Sequence, residues 1–77
     1  MTITYIKNKK PTIEEAQELV GGYVALIKLP DGKQMLVDED GQLKRKTMNH
    51  DASMIGLTVG QPFIVGDVVI LSGKARW

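Results

Sequence analysis

The sequence predicts an α+β domain: a small curved antiparallel sheet of five or six strands with two short helices, in the order β-α-β-β-(β)-α-β-β. Three observations carry this reading. Thr12-Ile13-Glu14-Glu15 forms a capping box, in which the Thr12 hydroxyl accepts from the third helical N–H and Glu15 reaches back to the Thr12 N–H. The helix that it opens stops on Gly21-Gly22 and passes directly into the apolar run 23–29. Pro30-Asp31-Gly32-Lys33 then turns the chain, with Pro in the second turn position and Gly free to take positive φ, so that residues 34–37 return antiparallel.

Taken in order, residues 2–6 (Thr-Ile-Thr-Tyr-Ile) alternate and are rich in β-branched and aromatic side chains, which predicts a strand, with Lys7, Lys9 and Lys10 in its exit loop. A helix over 13–20 places Ile13, Ala16, Leu19 and Val20 on one face and turns Glu14, Glu15 and Glu18 outward, with acidic side chains near the positive end of its dipole. The nearly unbroken apolar run at 23–29 predicts a central strand covered on both faces. Asp38-Glu39-Asp40-Gly41 makes a second turn. Leu43-Lys44-Arg45-Lys46 follows as a short edge strand, guarded by its cations, or as an extended loop. Asn49 caps a two-turn helix through Ile55, with Ala52 and Ile55 inward and Gly56 at its end. Residues 62–65 and 68–72 read as closing strands joined by a tight turn at Gly66-Asp67. Tyr5, Tyr23 and Phe63 lie in apolar stretches and are expected in the core. Trp77 is expected to fold back onto the domain or onto a second copy, because its apolar area is costly to leave in water.

Length and composition narrow the classes of function. With 77 residues the chain forms a single domain over 1–77, and a chain of this size buries only about 60% of its unfolded surface. It has no Cys and one His, so neither disulfides nor a zinc-type ligand cluster can brace so small a core. A homo-oligomer is the expectation that follows. No stretch approaches membrane-spanning length, the opening apolar segment is too short for a signal peptide, and a cytoplasmic location is expected. The net charge of +1 gives no global attraction to nucleic acid.

Local chemistry is sparse. Lys44-Arg45-Lys46-Thr47, followed by the start of the Asn49 helix, combines three cations, a hydroxyl and free backbone N–H groups in a way that suits phosphate. The competing account is a solvated edge strand whose helix Asn49 already caps. His50 and Ser53 share a helical face, but Asp51 is one residue along and points away, so a catalytic triad lacks its orienting acid. Asp38, Glu39 and Asp40 invite a calcium reading that fails on spacing. An EF-hand loop needs Gly at its sixth position and Glu at its twelfth, whereas, counted from Asp38, Gly41 comes too early and Asn49 stands where Glu is required. Gly21-Gly22 ends a helix and opens a strand, the reverse of a nucleotide-binding loop. Lys74-Ala75-Arg76-Trp77 sets a ring among cations, yet an aromatic content of 5% argues against a base-stacking surface.

The junction Leu19-Val20-Gly21-Gly22-Tyr23, the acidic turn Asp38-Glu39-Asp40-Gly41, Asn49 with Ala52, and Ile64-Val65-Gly66-Asp67-Val68-Val69-Ile70 together resemble a small uncharacterised family found in bacteriophages, plasmids and bacteria. The resemblance covers residues 12–71 and implies an accessory protein of a phage or mobile element, acting in the host cytoplasm, with no assigned reaction or ligand. The function expected from these parts is binding without catalysis or cofactor. The ligand would be a small anionic, nucleotide-like signal sequestered in an oligomeric groove. The alternatives are a protein–protein interaction module that inhibits a host protein and a weak nucleic-acid binder. Lys44, Arg45, Lys46 and Asn49 are the expected ligand-binding residues, with Tyr23 and Glu39 as pocket walls.

Overall fold

The computed structural model describes residues 1–77. It contains β1 (Ile3–Ile6), α1 (Ile13–Val20), β2 (Val24–Lys28), β3 (Gln34–Asp38), α2 (His50–Gly56) and β4 (Val68–Leu71). The α+β class stands, with two short helices, but the sheet has four strands in the order β1-β4-β3-β2 and is mixed rather than antiparallel. β1 runs parallel to β4, with Ile3 beside Val68 and Ile6 beside Leu71, while β4, β3 and β2 are antiparallel neighbours.

Side chains alternate across the sheet, so each strand feeds both of its faces. On one face α1 buries Ala16 and Val20 against Leu36, Val69 and Leu71. On the other, α2 packs Ala52 over Met35, Val68 and Ile70. All four residues of β4 are therefore buried. The strands covered on both faces are β4 and β3, not the 23–29 run, whose strand β2 lies at the sheet edge with no fully buried residue. An apolar run specifies two faces to cover; it does not specify a neighbour on each side.

The expected helix signals act as read. Glu15 N donates to Thr12 Oγ1 at 3.1 Å and Thr12 N donates to Glu15 Oε1 at 2.9 Å, closing the capping box. Gly21 takes the left-handed conformation, φ 80°, at the end of α1. Asn49 Oδ1 accepts from Ala52 N at 3.1 Å. The second helix ends at Gly56 as read, and a further turn follows it. The chain tightens there into a 3-10 turn over Leu57–Val59, closed by Gly60. Gly56 is needed there for close approach, because a Cβ would overlap the Gln61 carbonyl.

The expected strand over 62–65 is absent, and for 43–46 the edge-strand alternative does not form. Residues 43–46 lie in turns and irregular chain, and of residues 62–65 only Val65 makes a bridge, to Met48. The buried Ser53 hydroxyl replaces a strand neighbour for Ile64, accepting from its N–H and donating to its carbonyl, both at 3.0 Å. Tyr5, Tyr23 and Phe63 are also not core residues: they are 67%, 69% and 64% exposed. Trp77 does fold back, packing on the α1-side core and donating from Nε1 to the Pro11 carbonyl at 3.1 Å.

Candidate functional site

The basic segment is organised by a residue that the sequence reading placed in a solvated turn. Asp38 is the last residue of β3 and is buried, on the sheet face that α1 covers. Its Oδ2 lies 2.9 Å from Lys44 Nζ and 2.6 Å from Lys46 Nζ. Each lysine also caps the carboxyl end of α1, where carbonyls lack helical partners. Lys46 donates to the Val20 carbonyl at 2.8 Å and Lys44 to the Gly21 carbonyl at 3.2 Å. The negative end of the helix dipole adds to this attraction. Burial alone would raise the Asp38 pKa, but hydrogen bonds from Lys46 and Lys44 and from the Asp40 N–H outweigh it, and the carboxyl is held at about 2.

This arrangement explains the double glycine at 21–22. A Cβ on Gly22 would come within 2.5 Å of Lys44 Nζ and 2.8 Å of both Asp38 oxygens, and one on Gly21 within 2.9 Å of Lys46 Nζ. Both ammonium groups thus approach the chain where side chains are missing. The signal available in the sequence was an aspartate ending an apolar strand with lysines six and eight residues later. That spacing has no local periodicity, so only the tertiary fold reveals it.

Of the residues expected to bind a ligand, Lys44 and Lys46 are joined through Asp38, and Arg45 stands apart from them. Arg45 has φ 57°, is exposed and has no carboxylate partner. It borders an open hollow of about 340 Å³ together with Met1, Lys46, Thr47, Gly66 and Asp67. Asp67 brings negative charge to that hollow, and hydrogen bonds from the Thr2 N–H and hydroxyl hold its pKa below the ordinary carboxylate value. Asn49 is buried, and its amide donates to the carbonyls of Thr2, at 3.1 Å, and Gly66, at 2.9 Å. Its polar atoms therefore tie the start of α2 to the strand entries. His50 and Asp51 are exposed and 3.9 Å apart, while the Ser53 hydroxyl is engaged by Ile64.

Tyr23 and Glu39 lie together elsewhere. Glu39 N donates to the Tyr23 carbonyl at 2.8 Å, continuing the β2–β3 ladder by one pair. Beside them, on the α2 face, is a groove of about 320 Å³ that sequence reasoning missed. Ala25, Ile27 and Val37 form its floor, and Leu43 and Phe63 are among its walls. Leu43 is 84% exposed. Glu39 lines the groove and has no cation partner. The groove exists because α2 covers β4 and β3 but leaves the β2 side of the sheet open.

Fold and surface together define a small α+β domain with a helix on each face of its sheet, a lysine-clamped helix end and an open groove with an apolar floor and polar residues among its walls. No helix is long and apolar enough to cross a membrane. The chain belongs to the DUF3846 family, a domain of unknown function, whose model matches residues 1–76. No curated protein and no solved structure matches it.

Proposed function

We propose that the chain is a non-enzymatic binding module that holds an apolar segment of a partner protein, carrying a Lys or Arg, in the groove over β2 and β3. The observation that carries this reading is the groove itself. Its floor of Ala25, Ile27 and Val37 is apolar, its walls include the exposed side chains of Leu43 and Phe63, and its rim includes the unpaired carboxylate of Glu39. Exposed apolar surface of this kind, bordered by charge, is characteristic of interaction sites. The cation follows from charge complementarity with Glu39. In the mobile-element setting that the sequence resemblance implies, the partner would be a host protein and the outcome its inhibition.

Sequestration of an anionic, nucleotide-like ligand is the second reading, and the unpartnered Arg45 guanidinium favours it. It ranks below the first because Lys44 and Lys46 are already paired with Asp38 and because Asp67 shares the hollow beside Arg45.

Selection of a random-sequence peptide library on the immobilised full chain tests the first reading. Enriched peptides are expected to combine apolar residues with Lys or Arg. Phe63→Asp should weaken them about tenfold or more, and Glu39→Lys should weaken most those that carry a cation. The proposal is wrong if no sequence class is enriched or if Phe63→Asp binds the selected peptides as tightly as the parent. A thermal-shift panel of nucleotides tests the second reading, which requires a shift that Arg45→Ala abolishes.

A further inference from the structure

We infer that the open edge of β2 pairs with β2 of a second copy of this chain, antiparallel about a two-fold axis at Leu26, so that two grooves join into one trough. The inference rests on the groove reading above only for what the trough would bind; the pairing itself is argued from the edge.

The edge is available and unguarded. The bonds from Glu39 N to the Tyr23 carbonyl and from Leu29 N to the Lys33 carbonyl, each 2.8 Å, fix which residues of β2 face β3. By alternation Ala25 and Ile27 bond inward, and the N–H and C=O groups of Val24, Leu26 and Lys28 point away from the sheet. Proteins protect such an edge with proline, bulges or inward charges, and β2 has none of these, only Lys28 at its end. Its register with β3 is unbroken from Val24 to Lys28.

The occupant follows from complementarity. Centred on Leu26, the pairing sets Val24 opposite the second copy's Lys28 and forms about six main-chain hydrogen bonds. The two ends of β2 differ in charge. Its start adjoins Asp38, which is matched by Lys44 and Lys46, and the unpaired carboxylates of Glu39 and Asp40, and its end adjoins Lys28, Lys33 and Arg76 against a single carboxylate, Asp31. An antiparallel copy brings the acidic end of each edge to the basic end of the other, whereas a parallel copy would place like ends together. Apolar contacts agree: Leu26, 39% exposed on the α1 face, meets its own copy. On the α2 face Tyr23, Ala25 and Ile27 of the two chains become neighbours, and the groove floors run together. Isologous pairing of this kind closes on itself and leaves no free β2 edge. The β1 edge carries only Tyr5 as an exposed large apolar side chain.

Sedimentation of the full chain over a dilution series, with oxidative cross-linking of single-thiol variants, tests the inference. The chain has no native Cys, so each introduced thiol reports one position. The parent should sediment as a concentration-dependent dimer. Leu26→Lys places like charges opposite each other and should raise the dimer dissociation constant about tenfold or more, with the far-UV circular dichroism unchanged. Leu26→Cys should cross-link to a covalent dimer, because directly paired residues lie within disulfide reach, and Tyr5→Cys should not. A parent that is monomeric at every concentration, or a dimer linked through Tyr5→Cys and not through Leu26→Cys, overturns the pairing. Peptide binding by a monomeric chain would leave the groove reading intact while overturning the pairing, and a Leu26-centred dimer that selects no peptide would uphold the pairing alone.

Discussion

Asp38, Lys44 and Lys46 make up a buried carboxylate held by two partly exposed ammonium groups, and the exposure is what sets the cost of losing each partner. Replacing Asp38 by Asn lets both lysines turn to water, so the loss is that of charge-assisted hydrogen bonds, about 2 kcal/mol. Replacing both lysines by Ala leaves the carboxylate buried without a cation, and about 3 kcal/mol or more is expected. Urea denaturation should rank the variants in that order, and equal effects would show that the node does not control stability. The same node sets a pH dependence. The folded pKa of about 2 lies below the ordinary 3.8, so Asp38 contributes fully above about pH 5 and progressively less as pH falls toward 2. Glu15, lowered chiefly by its hydrogen bond from the Thr12 N–H, and Asp67 contribute in the same direction. Thermal melts should therefore hold steady above about pH 5 and fall below it, and Asp38→Asn should shrink that fall without abolishing it.

At the scale of elements, Gly56 offers the sharpest test of how α2 meets the loop after it. A Cβ there overlaps the Gln61 carbonyl, which belongs to the backbone and has no rotamer to change, so Gly56→Ala should cost about 1–3 kcal/mol in urea denaturation. A neutral result would mean that residues 57–61 shift freely. The elements that the sequence disclosed are those whose signals are local: the Thr12 capping box, the glycine stop of α1, the Asn49 cap and the β2–β3 hairpin. Those it concealed depend on partners far along the chain. Residues 43–46 carry strand-edge chemistry, yet their lysines are drawn to Asp38 and the end of α1. Residues 62–65 carry a strand pattern, yet Ser53 satisfies Ile64. The candidate site was half legible for the same reason. Tyr23 and Glu39 come together because a legible hairpin sets them opposite each other. The groove floor depends instead on which part of the sheet α2 leaves uncovered, and no periodicity encodes that.

Across the whole molecule, Trp77 joins segments that are distant in sequence. Its main chain exchanges hydrogen bonds with the Gln34 side chain at 2.7 and 2.8 Å, and its ring reaches Pro11. Trp77→Ala should therefore cost about 2 kcal/mol, less than a fully buried tryptophan because the ring is only partly covered, and should lower the urea midpoint without changing the secondary-structure signal. Joining Ile3 to Val68 has a consequence for how the protein comes into being. β1 is completed only by β4, which follows it far along the chain and is inserted between β1 and β3. A ribosome that has released residues 1–60 has produced the hairpin and α1 but no sheet for β1 to enter. Closure of the long loop between Ile3 and Val68 must precede the final pairing, so this step is slow beside formation of the β2–β3 hairpin and the helices. Until then β1 and the inner edge of β3 stand open together, and the nascent chain is most exposed to misassociation in that interval.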